Sequence, residues 1–191
     1  MKKLSSCKDL WVKALLVLSC LCTVIAVTAA GKMRYDSNYA SDRAEIEDLL
    51  GRYSFAADWQ DADVYASLFT EDGVLDWARG VARGREAIHD EVIGMRSAFA
   101  IQEAEAAPLR PARLRHFITN LVLDVNGDTA KGLAFWVEFD NRNAERKAYS
   151  GAYGYSEDEY RKVDGEWLFS FRKIYNEEMA DRTAPMENPA W

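Results

Sequence analysis

A histidine and an aspartate are the residues from which this sequence could build chemistry. His116 lies within RLRHFITNLVLDV, residues 113–125, a run rich in β-branched and aliphatic side chains, and the chain has only two histidines. An ionisable ring inside an apolar strand has two readings. It is a core histidine satisfied by a hydrogen bond, or a base that faces a pocket. The second reading needs a carboxylate to fix the imidazole tautomer and stabilise its protonated form. Asp58, at the predicted end of the first helix, is the candidate. A nearby carboxylate raises a histidine pKa from about 6.5 towards neutrality, which suits a general base. The two residues are far apart in sequence, so only the fold can bring them together.

The elements that must do so read clearly. Asp42 and Glu45 have capping-box spacing for a helix start. Ile46, Leu49, Leu50, Tyr53 and Ala57 then recur on one helical face up to about Trp59. A second short helix carries Val64, Leu68 and Phe69, and Glu71-Asp72-Gly73 breaks it. Val74–Trp77 reads as a short strand. A third helix begins within 82–86 and carries Ile88, Val92, Ile93 and Met95, and a loop over 99–112 contains Pro108 and Pro111. The chain then turns to β structure. Strands over 113–125 and 129–139 flank Asn126-Gly127, a strong hairpin signal. A polar turn at 140–143 leads to a Tyr-rich strand over 147–163, and Asp164-Gly165 forms a second hairpin into 166–175. Helices first and a meander after predict an α+β domain. Three N-terminal helices pack on one face of a strongly curved, mostly antiparallel sheet, a cone-shaped barrel that encloses a cavity.

The 191 residues suggest one domain. Residues 1–30 read as a secretory signal peptide: four lysines, an apolar run over 14–27, then Thr28-Ala29-Ala30. The expected location is therefore periplasmic or secreted, with membrane contact only if the leader is kept as an anchor. Residues 31–41 form a linker, 42–178 the domain, and 179–191 an irregular tail. Cys7, Cys20 and Cys22 all fall in the leader, so the domain has no disulfide framework, thiol nucleophile or cysteine metal site. The net charge is −7, and removing the basic leader makes the rest more acidic. That disfavours nucleic acid as a partner. With two histidines and no domain cysteine, no metal and no cofactor are expected.

The stretches IEDLLGRYSFAADWQDAD, LFTEDGVLDW, GREAI, RHFITNLVLDVNGDTAKG and YRKVDGEWLFSFRKI together resemble the SnoaL-like branch of the nuclear-transport-factor-2-like superfamily. Within it the chain looks most like scytalone dehydratase, hexachlorocyclohexane dehydrochlorinase and bile-acid 7α-dehydratase. The resemblance places Asp58 on the first-helix aspartate of those enzymes, and His116 on the dyad histidine of the first two. It implies cofactor-free elimination from a small apolar or aromatic ring compound, and a homodimer or homotrimer. His116 would take a proton from carbon, Asp58 would orient the ring, and a hydroxyl or halide would leave.

Other positions carry lesser roles. Tyr53 matches a helix tyrosine lining the bile-acid enzyme's site, and reads equally as core. Trp77 stands where scytalone dehydratase has an active-site tyrosine, but indole only donates a hydrogen bond. Arg172 and Lys173 are neighbours on the last strand, so at most one faces the cavity. Tyr153 is a further candidate for the pocket wall. His89, in the charged segment AIHDEV, reads as solvated. Two alternatives stand beside the lyase. One is a noncatalytic ligand-binding or assembly module on the same fold. The other is an isomerase or cyclase with a carboxylate base on a strand, for which Glu138 or Asp140 is the test.

Overall fold

The computed structural model describes residues 35–106 and 112–190. The predicted signal peptide, Pro108, Pro111 and Trp191 lie outside the described residues. The elements are α1 (Tyr39–Trp59), α2 (Ala62–Ser67), β1 (Phe69–Trp77), β2 (Gly80–Arg83), α3 (Arg85–Ala106), β3 (Leu114–Asn126), β4 (Thr129–Asp140), β5 (Tyr149–Val163) and β6 (Glu166–Ile174). Three helices pack against a six-stranded sheet in the order β2-β1-β6-β5-β4-β3. The α+β architecture is as expected, but the sheet is not a closed barrel. β1 runs parallel to β6 while the other pairs are antiparallel, and β2 and β3 are its edges.

The apolar face of α1 drives its packing. Ile46 and Leu49 are fully buried, with Leu50, Tyr53 and Ala56 nearly so. They meet Phe69 and Leu75 of β1, Ile88 and Val92 of α3, and Phe169 of β6 in one core. Gln60, in the left-handed region at φ 55°, ends α1 by sending its N–H back to Ala56 and Ala57 carbonyls. Asp61 then caps α2, accepting from the Val64 N–H at 3.1 Å.

Three boundaries differ from the sequence reading. Helix α1 starts earlier, with Asn38 as its cap, and Asp42 is buried inside it. Asp42 Oδ1 instead accepts from Trp167 Nε1 at 3.0 Å and from Lys162 Nζ at 2.8 Å, tying α1 to the β5–β6 hairpin. Second, Phe69 opens β1, and Glu71-Asp72-Gly73 lies within that strand as an irregularity between Phe69 and Val74. A Cβ at Gly73 would fall 2.9 Å from the Thr70 carbonyl oxygen, so this close approach requires glycine. Third, β2 was not foreseen, and α3 extends to Ala106 where a loop was expected.

Removing the Asp42 carboxylate leaves the buried Trp167 N–H unpaired, whereas Lys162 keeps Glu45 at 3.3 Å. Asp42→Ala is therefore expected to lower unfolding free energy by about 1–3 kcal/mol, read by urea denaturation. The Asp42 hydrogen bond also raises the Lys162 ammonium above its ordinary value of 10.5. The lysine's contribution is thus present at neutral pH and is lost as pH climbs through the raised value.

Candidate active site

Helix α1 ends against the edge strand β3, and that junction holds the two residues singled out first. Asp58 is in the last turn of α1 and His116 is near the start of β3. The His116 backbone N–H donates to Asp58 Oδ2 at 3.0 Å and Oδ1 at 3.2 Å. Its ring Nδ1 lies 2.7 Å from the same Oδ1. An ionised carboxylate only accepts, so Nδ1 carries the hydrogen, and in the neutral ring Nε2 keeps its lone pair. Asp58 is 4% exposed and His116 25%. Beside them the Arg115 guanidinium lies 3.9 Å from the Trp59 ring centroid, and so brings a positive charge to the negative end of α1.

His116 faces a cavity of about 150 Å³ between α1, α3 and the sheet. Its walls are mainly apolar, with Trp77, Met95, Phe99, Ile118 and Trp136 among them, and His116, Glu138 and Arg172 supply the ionisable groups. A dry cavity of about this size holds a benzene-sized ring. Glu138 stands opposite His116 on β4, with Oε2 3.5 Å from Nε2. On its outer side, His116 with Asp58 also borders a wider groove of about 760 Å³ between α1 and β3. Because Nε2 points towards Glu138, which lines the inner cavity, that cavity is where the ring can act.

The structure separates the remaining candidates. Tyr53, Trp77 and Arg172 all line the cavity. Tyr53 is both wall and core: it is 7% exposed and accepts from the Tyr65 hydroxyl at 2.7 Å. Burial pushes both phenols up, so both stay protonated at neutral pH. Lys173 points the other way, with its Nζ 4.6 Å from the Tyr175 ring centroid. Tyr153 is also corrected: it is half exposed on the outer sheet face and lines a different hollow, against residues 184–190. Asp140 is buried against Arg142 and does not border the cavity. His89 sits in a surface setting beside Asp63 and Asp90, as expected.

Arg172 is the unusual wall residue, at 1% exposure. Directly across the β5–β6 pair, Asp158 accepts from its Nη1 at 2.9 Å. Ser156 and Tyr160 hydroxyls also donate to Asp158, at 2.9 and 3.1 Å. Burial pushes the Asp158 carboxyl up, against the pull of Arg172. Neighbouring Asp158 holds Arg172 firmly charged despite its burial. Among the described residues, Arg172 Nε and Trp77 Nε1 are buried donors without an acceptor.

Residues 38–173 match the family model of the SnoaL-like domain. Among solved structures, a protein of unknown function from Mycobacterium tuberculosis shares 27% identity, over 82% of this chain and 84% of that one, at TM-score 0.61. A candidate scytalone dehydratase from Novosphingobium aromaticivorans shares 21%, over 80% and 98%, at TM-score 0.61. ActVI-ORFA from Streptomyces coelicolor shares 19%, over 73% and 98%, at TM-score 0.62. The last two are likenesses of fold alone. No curated protein gives a significant match. On the strength of the family match, which spans both helix α1 and strand β3, the chain belongs to the SnoaL-like domain family.

Proposed function

We propose that this protein is a cofactor-independent lyase or isomerase that removes a proton from carbon in a small apolar or aromatic ring compound. The carrying observation is the His116 ring, held by Asp58 at Nδ1 with Nε2 turned towards a mainly apolar cavity. In this reading Nε2 takes a proton from a carbon beside an activating group. Asp58 stabilises the imidazolium that results, and the carbanion expels a hydroxide or halide leaving group, or is reprotonated elsewhere. Arg172 and Tyr53 line the same space, so negative charge developing on the substrate meets a positive wall. The likeness of fold to a candidate scytalone dehydratase supports the elimination branch.

The competing reading, a noncatalytic ligand-binding module, requires only a cavity. It does not require a histidine with one nitrogen anchored and the other presented to that cavity. Export forms part of the proposal, supported by the basic start and apolar run of residues 1–30. So does self-association, supported by Phe117, Phe135 and Phe139 exposed on β3 and β4.

The test is a panel of single-ring compounds carrying a hydroxyl or halide β to a carbonyl. His116→Ala is expected to lose at least about 10²-fold in kcat while its circular dichroism is unchanged. Full turnover by that variant would refute the base. Asp58→Asn retains an oxygen for the His116 backbone N–H but loses the charge that supports the imidazolium. It is expected to keep KM within a few-fold and to lose kcat by about 10²–10⁴-fold.

A further inference from the structure

The inner cavity contains a second group able to carry a proton, and its placement bears on the leaving group. Glu138 lies across the β3–β4 ladder from His116, 15% exposed, with Oε2 3.5 Å from Nε2. Its other oxygen is pinned: the Ala152 backbone N–H donates to Oε1 at 3.2 Å. That N–H faces the carboxyl where the β4–β5 register shifts, between Val137 and Phe139. Such irregularities re-aim side chains next to functional sites. Gly151 keeps the space clear, since a Cβ there would fall 2.7 Å from Glu138 Oε1. One oxygen is thus fixed to the backbone, and the other is directed at the nitrogen that would take the proton.

We infer that Glu138 is the general acid of this site, and that the group which leaves is a hydroxyl, lost as water from the same face as the proton. The inference rests on the reading of His116 as base. A halide departs as a stable anion and needs no proton, whereas hydroxide is a poor leaving group unless protonated. A carboxylic acid beside the base is therefore of use only in the second case. In the step, His116 Nε2 takes the proton from carbon. The C–H electron pair becomes the new carbon–carbon double bond, and the C–O bond breaks with its pair on oxygen. That oxygen takes the proton from Glu138 Oε2 and leaves as water. The products on the protein are imidazolium and carboxylate, already adjacent. Transfer of the proton from Nε2 to Oε2 restores neutral His116 and protonated Glu138. The proton taken in one turnover is the one delivered in the next. Because both groups sit on neighbouring strands facing one cavity, hydrogen and hydroxyl must leave from the same side of the substrate. The charge of Arg172, which lines the same cavity, suits an activating carbonyl oxygen, which makes the substrate class a β-hydroxy carbonyl compound with one ring.

The probes are the aldol adduct of benzaldehyde and acetone, its O-acetyl ester, and the adduct with deuterium placed on one face of the carbon next to the ketone. All give the same absorbing enone. Wild type is expected to eliminate both alcohol and ester, and to lose the label syn to the hydroxyl. Glu138→Gln, which keeps an oxygen for the Ala152 N–H, is expected to fall by about 10²-fold on the alcohol and by less than about threefold on the ester. Its ester activity also shows that it has folded. Gly151→Ala, which displaces the carboxyl, is expected to fall in the same selective way. Equal rates on the alcohol for Glu138→Gln and wild type would overturn the acid and leave the base standing. So would turnover of the ester alone by wild type, or loss of the anti label. Failure of wild type on both probes would overturn the β-hydroxy carbonyl class and the base reading together.

Discussion

One carboxylate fixes the relation between the first helix and the far edge of the sheet. Asp58 binds both the backbone N–H and the ring nitrogen of His116. An edge strand presents N–H groups with no neighbouring strand to accept them, and β3 is such an edge. Asp58 satisfies one of them and, through the same residue's side chain, removes the ring's freedom to turn. Hydrogen bonds to a charged group contribute about 1.5–3 kcal/mol each, and a nearly buried carboxylate without them would be costly. Helix end, strand edge and imidazole are thus positioned by a single interaction, and the cavity is the space they leave between them.

The charge at the other end of the cavity poses the opposite problem. Arg172 is almost wholly buried and its Nε lacks a partner among the described residues, as does Asp158 Oδ1. Buried ion pairs of this kind are weak sources of stability, because desolvation offsets much of the attraction. The guanidinium also packs over the Tyr53 and Phe169 rings, 4.2 and 4.9 Å from their centroids. A fixed positive charge facing a mainly apolar space does have a chemical use, since in such surroundings it acts on developing negative charge far more strongly than it would in water. Under the proposed function the site has two poles. Asp58 and His116 handle the proton at one end, and Arg172 receives negative charge at the other.

Much of this was legible in the sequence. The apolar face of α1, both hairpin turns, the α+β order and the pairing of Asp58 with His116 follow from periodicity, turn chemistry, residue type and family resemblance. Other features depend on long-range contacts. Asp42 looks like a cap by local spacing, but its partners Trp167 and Lys162 lie at the opposite end of the domain. Strand β1 begins at Phe69 because β6 offers a parallel neighbour, Phe169, which no local pattern reveals. Alternation correctly limited Arg172 and Lys173 to one inward residue, but which of them it is depends on Asp158 across the pair.

His116 shows most clearly where regular patterns stop. Counting back from the Asn126–Thr129 end of the hairpin, a regular ladder would set Phe139 opposite His116. The observed partner is Glu138, because the register slips between Thr119 and Val122, where Asn120 adopts φ 56°. Asparagine tolerates that left-handed conformation better than most residues. Directly opposed residues of an antiparallel pair share a face, so a one-residue slip exchanges the two faces of a strand. Strand β4 alternates without interruption, with Ala130, Trp136 and Glu138 all on its inner face, so the slip turns β3: without it Phe117 would enter the cavity opposite Glu138 and His116 would face outwards. Instead Phe117 is outside against Phe139, and the imidazole is inside. The regular part of the sheet builds the cavity and keeps it apolar, and its irregularities decide which ionisable groups enter.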